Sequence, residues 1–100
     1  MITEIAVIDV APGREDDFMA IYPTAHKLLV ASPGFLSGRM TRGVESSSRF
    51  VSIIEWESVE AHLKNFAETE RFTEFAALLM PLLAGPPSVG HYADIPTTTA

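Results

Sequence analysis

Phe50-Val51-Ser52-Ile53-Ile54-Glu55-Trp56-Glu57-Ser58-Val59-Glu60-Ala61-His62 holds an apolar strand that ends in the chain's only tryptophan and turns at once into a helix. The β-branched and aromatic residues from Phe50 to Ile54 favour an extended chain. Ser58 then offers a side-chain oxygen to the free N–H groups of a first helical turn, which sets His62 one turn in. A large aromatic and a titratable ring beside one strand–helix corner suit either a packed hinge or the wall of a small-molecule pocket.

Working outward, Arg49–Glu57 is the third strand of the chain, and the polar turn Gly43–Ser48 joins it to a second strand over Phe35–Arg42. The first strand runs from Ile2 to Val10, with Ile2, Ala6, Ile8 and Val10 on one face and Ile5 and Val7 on the other. Apolar residues on both faces indicate a strand covered from both sides. Pro12-Gly13 ends it, and a helix follows with Glu15, Asp16 and Asp17 in its first turn, where negative charge suits the helix dipole. Its apolar stripe is Phe18, Ile21, Tyr22, Ala25, Leu28 and Leu29. Pro23 falls inside it, removes one backbone donor and is expected to kink or divide the helix. Ser32-Pro33-Gly34 stops it.

Beyond the corner a short helix carries Ala61, Leu63 and Phe66. Thr69 opens another, with Phe72, Phe75, Ala76, Leu79, Leu82 and Leu83 as its stripe. Gly85-Pro86-Pro87 ends the helical region, Val89–Ile95 is a last strand, and residues 96–100 are a frayed tail. The order β-α-β-β-α-β predicts a single α+β domain over residues 1–95. Its expected form is ferredoxin-like, a four-stranded antiparallel sheet with helices on one face. That leaves Ile5, Val7, Val51 and Ile53 on an uncovered face, so a homodimer packed sheet to sheet is expected.

One hundred residues form one small domain. With no cysteine, disulfides, thiolate nucleophiles and cysteine-held metals are ruled out, and the chain is compatible with the cytoplasm, the location expected for it. Met1-Ile2-Thr3-Glu4 has no basic region ahead of an apolar one, so no signal peptide is expected. The longest apolar run, Phe75–Ala84, is broken by Pro81 and falls short of the ~20 residues of a membrane span, so no membrane partner is expected. A net charge of −6 repels phosphate backbones and argues against nucleic acid. Arg39, Arg42 and Arg49 read as solvated strand ends.

Three blocks carry a family resemblance. Pro12-Gly13-Arg14-Glu15-Asp16-Asp17-Phe18 resembles a Pro-Gly-x-x-x-x-Phe lead-in to a first helix, Ser32-Pro33-Gly34-Phe35 the turn into a second strand, and Glu55-Trp56-Glu57-Ser58-x-Glu60-Ala61 a Trp-x-Ser-x-x-Ala corner. In this order and at this spacing they resemble the antibiotic biosynthesis monooxygenase (ABM) domain over nearly the whole chain. The resemblance implies a dimeric α+β barrel and, in characterised members, oxygenation of quinols or polyketide anthrones without flavin or metal. The haem-degrading branch uses an Asn on the first strand, a Trp late in the second helix and a His in the third. Ala6, Phe66 and roughly Ala76 stand in those places here, which disfavours haem degradation. Quinol-oxidising relatives often carry a His one turn past the corner, where this chain has Asn65, with His62 three residues earlier.

Cofactor-free oxygenation requires an apolar cavity, a base for the substrate's acidic proton, and donors around the developing oxyanion. His62 and Asn65 are the candidate catalytic residues, and Tyr22, His26, Trp56 and Phe66 the candidate pocket residues. Each has a plainer reading: Tyr22 as a core tyrosine with a wet tip, His26 as a surface residue, Trp56 as a corner packing group whose N–H meets a carbonyl. His91, alternating with Val89 and Ala93, is expected to pack in the dimer. No two histidines have metal-ligand spacing, and neither a Gly-x-Gly-x-x-Gly nor a phosphate loop appears, so no cofactor and no metal are expected. The function expected is a cofactor-independent monooxygenase of a small phenolic, quinol or anthrone-like substrate, with dioxygen and an aromatic molecule as partners. The alternative is a non-catalytic dimeric module that binds a small molecule.

Overall fold

The computed structural model describes residues 1–98. The chain runs β1 (Ile2–Asp9), α1 (Glu15–Val30), β2 (Phe35–Arg42), β3 (Arg49–Trp56), α2 (Val59–His62), a π-helical turn (Leu63–Ala67), α3 (Glu70–Leu79), a 3-10 turn (Met80–Leu82) and β4 (Ser88–Tyr92). The strands form one antiparallel sheet in the order β2-β3-β1-β4, the ferredoxin-like arrangement.

The register sorts side chains by face. Glu4 lies opposite Ile54 on one side and His91 on the other, and Ala6 lies opposite Ser52 and Val89. This is the inner face, where Glu4, Ala6, Ile8, Phe50, Ser52, Ile54 and Trp56 are all buried under the helices. Ile5 opposite Ile53 and Val7 opposite Val51 form the outer face, and all four are half-buried.

Two apolar clusters fill the space between sheet and helices. One joins Ile8, Val10, Phe18, Ala25, Phe50, Leu79 and Leu82; the other joins Leu29, Ile54, Trp56, Ala61 and Phe66. Phe75 on α3 packs against both. The seam between them is where a cavity opens.

Two expectations need correction and a third is narrowed. Pro23 does not divide α1, which is one helix of 16 residues. Pro23 and Met19, whose carbonyl loses its donor, both face solvent, so water can replace the missing bond. The last strand ends at Tyr92 rather than Ile95, because Tyr92 already pairs with Thr3 and β1 offers almost no chain beyond it. Leu63 is exposed and His62 takes the inward position instead. Of the expected tail, residues 96–98 have no regular structure and residues 99–100 lie outside the described part.

Candidate functional site

A cavity of about 240 Å³ lies in the seam, floored by the inner sheet face and roofed by α3 and the π-helical turn. Its wall is almost wholly apolar, with Ile8, Leu29, Ile54, Phe66 and Phe75 among the lining residues, and Glu4, Ser52 and His62 as its polar members. An apolar pocket with a few convergent polar groups is the usual form of a small-molecule site.

Local structure places each polar group. Ser58 caps α2 by accepting from the Ala61 N–H at 3.0 Å, so the helix starts at the corner and aims His62 inward one turn later. The His62 ring stacks on Trp56, with centroids 5.1 Å apart at 27°. Trp56 is fully buried behind this wall and donates its indole N–H to Glu4 Oε1 at 2.9 Å. The donor thus meets a carboxyl group rather than the expected backbone carbonyl. His62 Nε2 lies 3.3 Å from the same oxygen, and His62 Nδ1 hydrogen-bonds His91 Nε2 at 2.7 Å. His91 does not face a sheet-to-sheet partner as expected: pairing with Glu4 turns it to the inner face.

Burial sets the electrostatics. Desolvation raises the Glu4 pKa above the ordinary carboxylate range, against the opposing pull of the Trp56 hydrogen bond and the charge of His91. Desolvation, helped by His91, pushes His62 down to about 4. At neutral pH His62 is therefore a neutral imidazole, and its contact with Glu4 is not an ion pair. A carboxylate beside Nε2 favours the tautomer with its proton there, which leaves Nδ1 to accept from His91. His62 thus meets Glu4 through one ring nitrogen and His91 through the other. Among the described residues no three such side chains are placed to hold a metal ion.

The remaining candidates divide. Phe66 lines the cavity. Tyr22 lies with Phe18, Pro23 and Phe50 around a second, more open cavity of about 210 Å³, separated from the first by Met40, which lines both. Burial, then the Glu4 charge, pushes its pKa up to about 12, so it remains a phenol. His26 Nδ1 is 3.5 Å from the Tyr22 hydroxyl, and its ring packs edge-on against Phe35. Asn65 lies away from the main cavity and donates to the Pro33 carbonyl at 2.8 Å, tying the π-helical turn to the start of β2. Glu4 was not among the sequence candidates. Its signal was a carboxylate in phase with Ile2, Ala6, Ile8 and Val10.

The family profile described as "Antibiotic biosynthesis monooxygenase" matches residues 1–78. A crystal structure of a candidate antibiotic biosynthesis monooxygenase from Bordetella bronchiseptica is 34% identical to this chain, with a TM-score of 0.90 over 94% of this chain and 96% of that one. SnoaB, described as a cofactor-independent oxygenase from Streptomyces nogalater, shares the fold at 18% identity, with a TM-score of 0.84 over 99% of this chain and 97% of its own. The uncharacterized protein YczJ of Bacillus subtilis is 24% identical over 95 residues, spanning 95% of this chain and 100% of that protein.

Proposed function

The chain belongs to the antibiotic biosynthesis monooxygenase family, and on that premise we propose that it is a cofactor-independent monooxygenase of a small phenol or quinol. The observation that carries this proposal is the closed-in apolar cavity with the Glu4–His62 pair on its wall. Removal of a hydroxyl proton gives a phenolate, which passes one electron to dioxygen, and the two radicals join at a ring carbon. Loss of water from the resulting peroxide leaves a carbonyl there. Apolar walls keep water from the anion and strengthen each polar contact made to it. The cofactor-free activity described for SnoaB supports this reading, as does the buried carboxyl–imidazole pair.

Size narrows the substrate. A cavity of about 150 Å³ holds one benzene ring, so 240 Å³ suits one substituted ring or a fused pair better than a three-ring anthrone. The test is incubation of chelator-treated protein with benzene- and naphthalene-diols under ¹⁸O₂. Mass spectrometry should find one labelled oxygen in the quinone product, with the other released as water. Absence of labelled product from every diol that binds would sink the proposal.

One observation favours the alternative of a non-catalytic binding module: both nitrogens of His62 already face protein partners. Unless another group takes the substrate proton, the cavity only binds. We also propose that two copies pair through the outer sheet face, on the strength of the half-buried row Ile5, Val7, Val51 and Ile53. No helix among the described residues is long and apolar enough to cross a membrane.

A further inference from the structure

We propose that Glu4, rather than either imidazole, takes the hydroxyl proton of a phenol or quinol bound in the cavity, and that His62 and His91 are positioning residues for its carboxylate. The chemistry rests on the oxygenase reading above; the recognition of a phenolic hydroxyl does not.

Geometry singles out Glu4. Among the ionisable groups of the described residues, only Glu4 and His62 line the cavity. His62 Nε2 faces Glu4 and its Nδ1 is bonded to His91, so neither nitrogen is left for a ligand. Glu4 differs: Oε1 meets both Trp56 and His62, while no donor among the described residues reaches Oε2. No buried side-chain oxygen among the described residues lacks both a partner and access to open space. The open space beside Glu4 is the cavity. A carboxyl oxygen at an apolar wall lacks water's hydrogen bonds, and a phenolic O–H would supply one.

Glu4 is also suited to proton transfer. Burial lifts its pKa toward the working range of a general base, and the Trp56 donor keeps the ionised form accessible. The groups that bear on it come from four elements: Tyr22 from α1, Trp56 from β3, His62 from α2 and His91 from β4. In the step itself the substrate O–H bond breaks, its proton passes to Oε2 and the electron pair stays on the phenolate oxygen. Dioxygen accepts one electron and bonds to the ring carbon. The protonated carboxyl returns its proton to the distal peroxide oxygen. The ring C–H proton then leaves, its electron pair forms the carbonyl as the O–O bond breaks, and the departing hydroxide takes that proton as water. Glu4 ends the cycle as it began.

The test compares 4-chlorophenol with 4-chloroanisole, which fills the same space without a donor, by titration calorimetry. Wild type should prefer the phenol roughly tenfold, the order expected for a hydrogen bond to a charged acceptor, and the preference should appear as pH rises and Glu4 ionises. Glu4→Gln should lose most of it while binding 4-chloroanisole as wild type does, which also reports an intact cavity. His91→Gln keeps a donor for His62 and removes a charge, so it should move the midpoint of the preference to higher pH; a merely packing role would leave the midpoint in place. Where wild type oxygenates a diol, Glu4→Gln should slow it at least ~100-fold. A wild type with no phenol preference at any pH, or a Glu4→Gln variant that keeps the preference or the rate, overturns the proposal. Loss of the preference together with no turnover by wild type would leave Glu4 as the hydroxyl-binding group and remove the oxygenase reading instead.

Discussion

At the scale of single residues, the site is decided by what burial does to two titratable groups. His62 has its pKa pushed from 6.5 to about 4 on folding. Between those values the unfolded chain binds a proton that the folded chain excludes, so stability should fall as pH drops through this window. Glu4 has the opposite sign, since its raised pKa favours the folded state as pH falls toward the ordinary carboxylate value of 4.5, and it offsets part of the loss. Thermal melts of wild type and His62→Phe across this range should show the acid-side loss shrink in the variant. Equal slopes would mean that His62 protonates as readily in the folded state. His62 and Phe66 could be seen in the sequence because helical spacing sets them on one face. Glu4 could be seen only as an interruption of an apolar row. That its partners would be Trp56, His62 and His91 could not be read, because they come from three separate elements.

Elements obey more local rules, and here the sequence was most legible. β2 runs over Phe35–Arg42 as expected, because a Ser-Pro-Gly turn and a polar loop bound it and it pairs along the strongly β-favouring β3. Ser58 caps α2 as its position before the helix predicted. Ser58→Ala should therefore cost about 1 kcal/mol in urea unfolding; an unchanged midpoint would show that the cap bond adds nothing beyond solvent. Gly34 carries a sharper constraint. Its φ is +91°, and a Cβ there would lie 2.6 Å from the Ala61 Cβ. Gly34→Ala should lose roughly 1–2 kcal/mol from the left-handed backbone alone, with more from displacement of α2, and it should perturb ligand binding through His62. The π-helical turn after His62 had no visible signal in the sequence. Its widened turn, closed by the Glu68 N–H to Leu63 carbonyl bond at 2.9 Å, depends on the docking of Phe66 under α3.

For the whole molecule, the outer sheet face gives the sharpest expectation. Ile5 and Ile53 face each other at the centre of the sheet, as do Val7 and Val51. Sedimentation equilibrium should find a dimer, and Ile53→Lys, which sets a charge in the middle of that patch, should shift it to monomer. A monomeric wild type would leave this face without its partner. The ferredoxin-like class and the choice of face followed from the sequence alone, because alternation along β1 and β3 and the β-α-β-β-α-β order leave few sheet topologies open. The three turn and corner blocks likewise marked the family. Tertiary structure alone decided the chemistry of the site. Antiparallel register set Glu4 against His91, and the capped corner swung His62 between them. Only enclosure by α3 removed the water that would have held Glu4 and His62 near their ordinary protonation. A carboxylate and two imidazoles far apart in sequence are unremarkable until one low-dielectric space brings them into contact and shifts Glu4 and His62 in opposite directions.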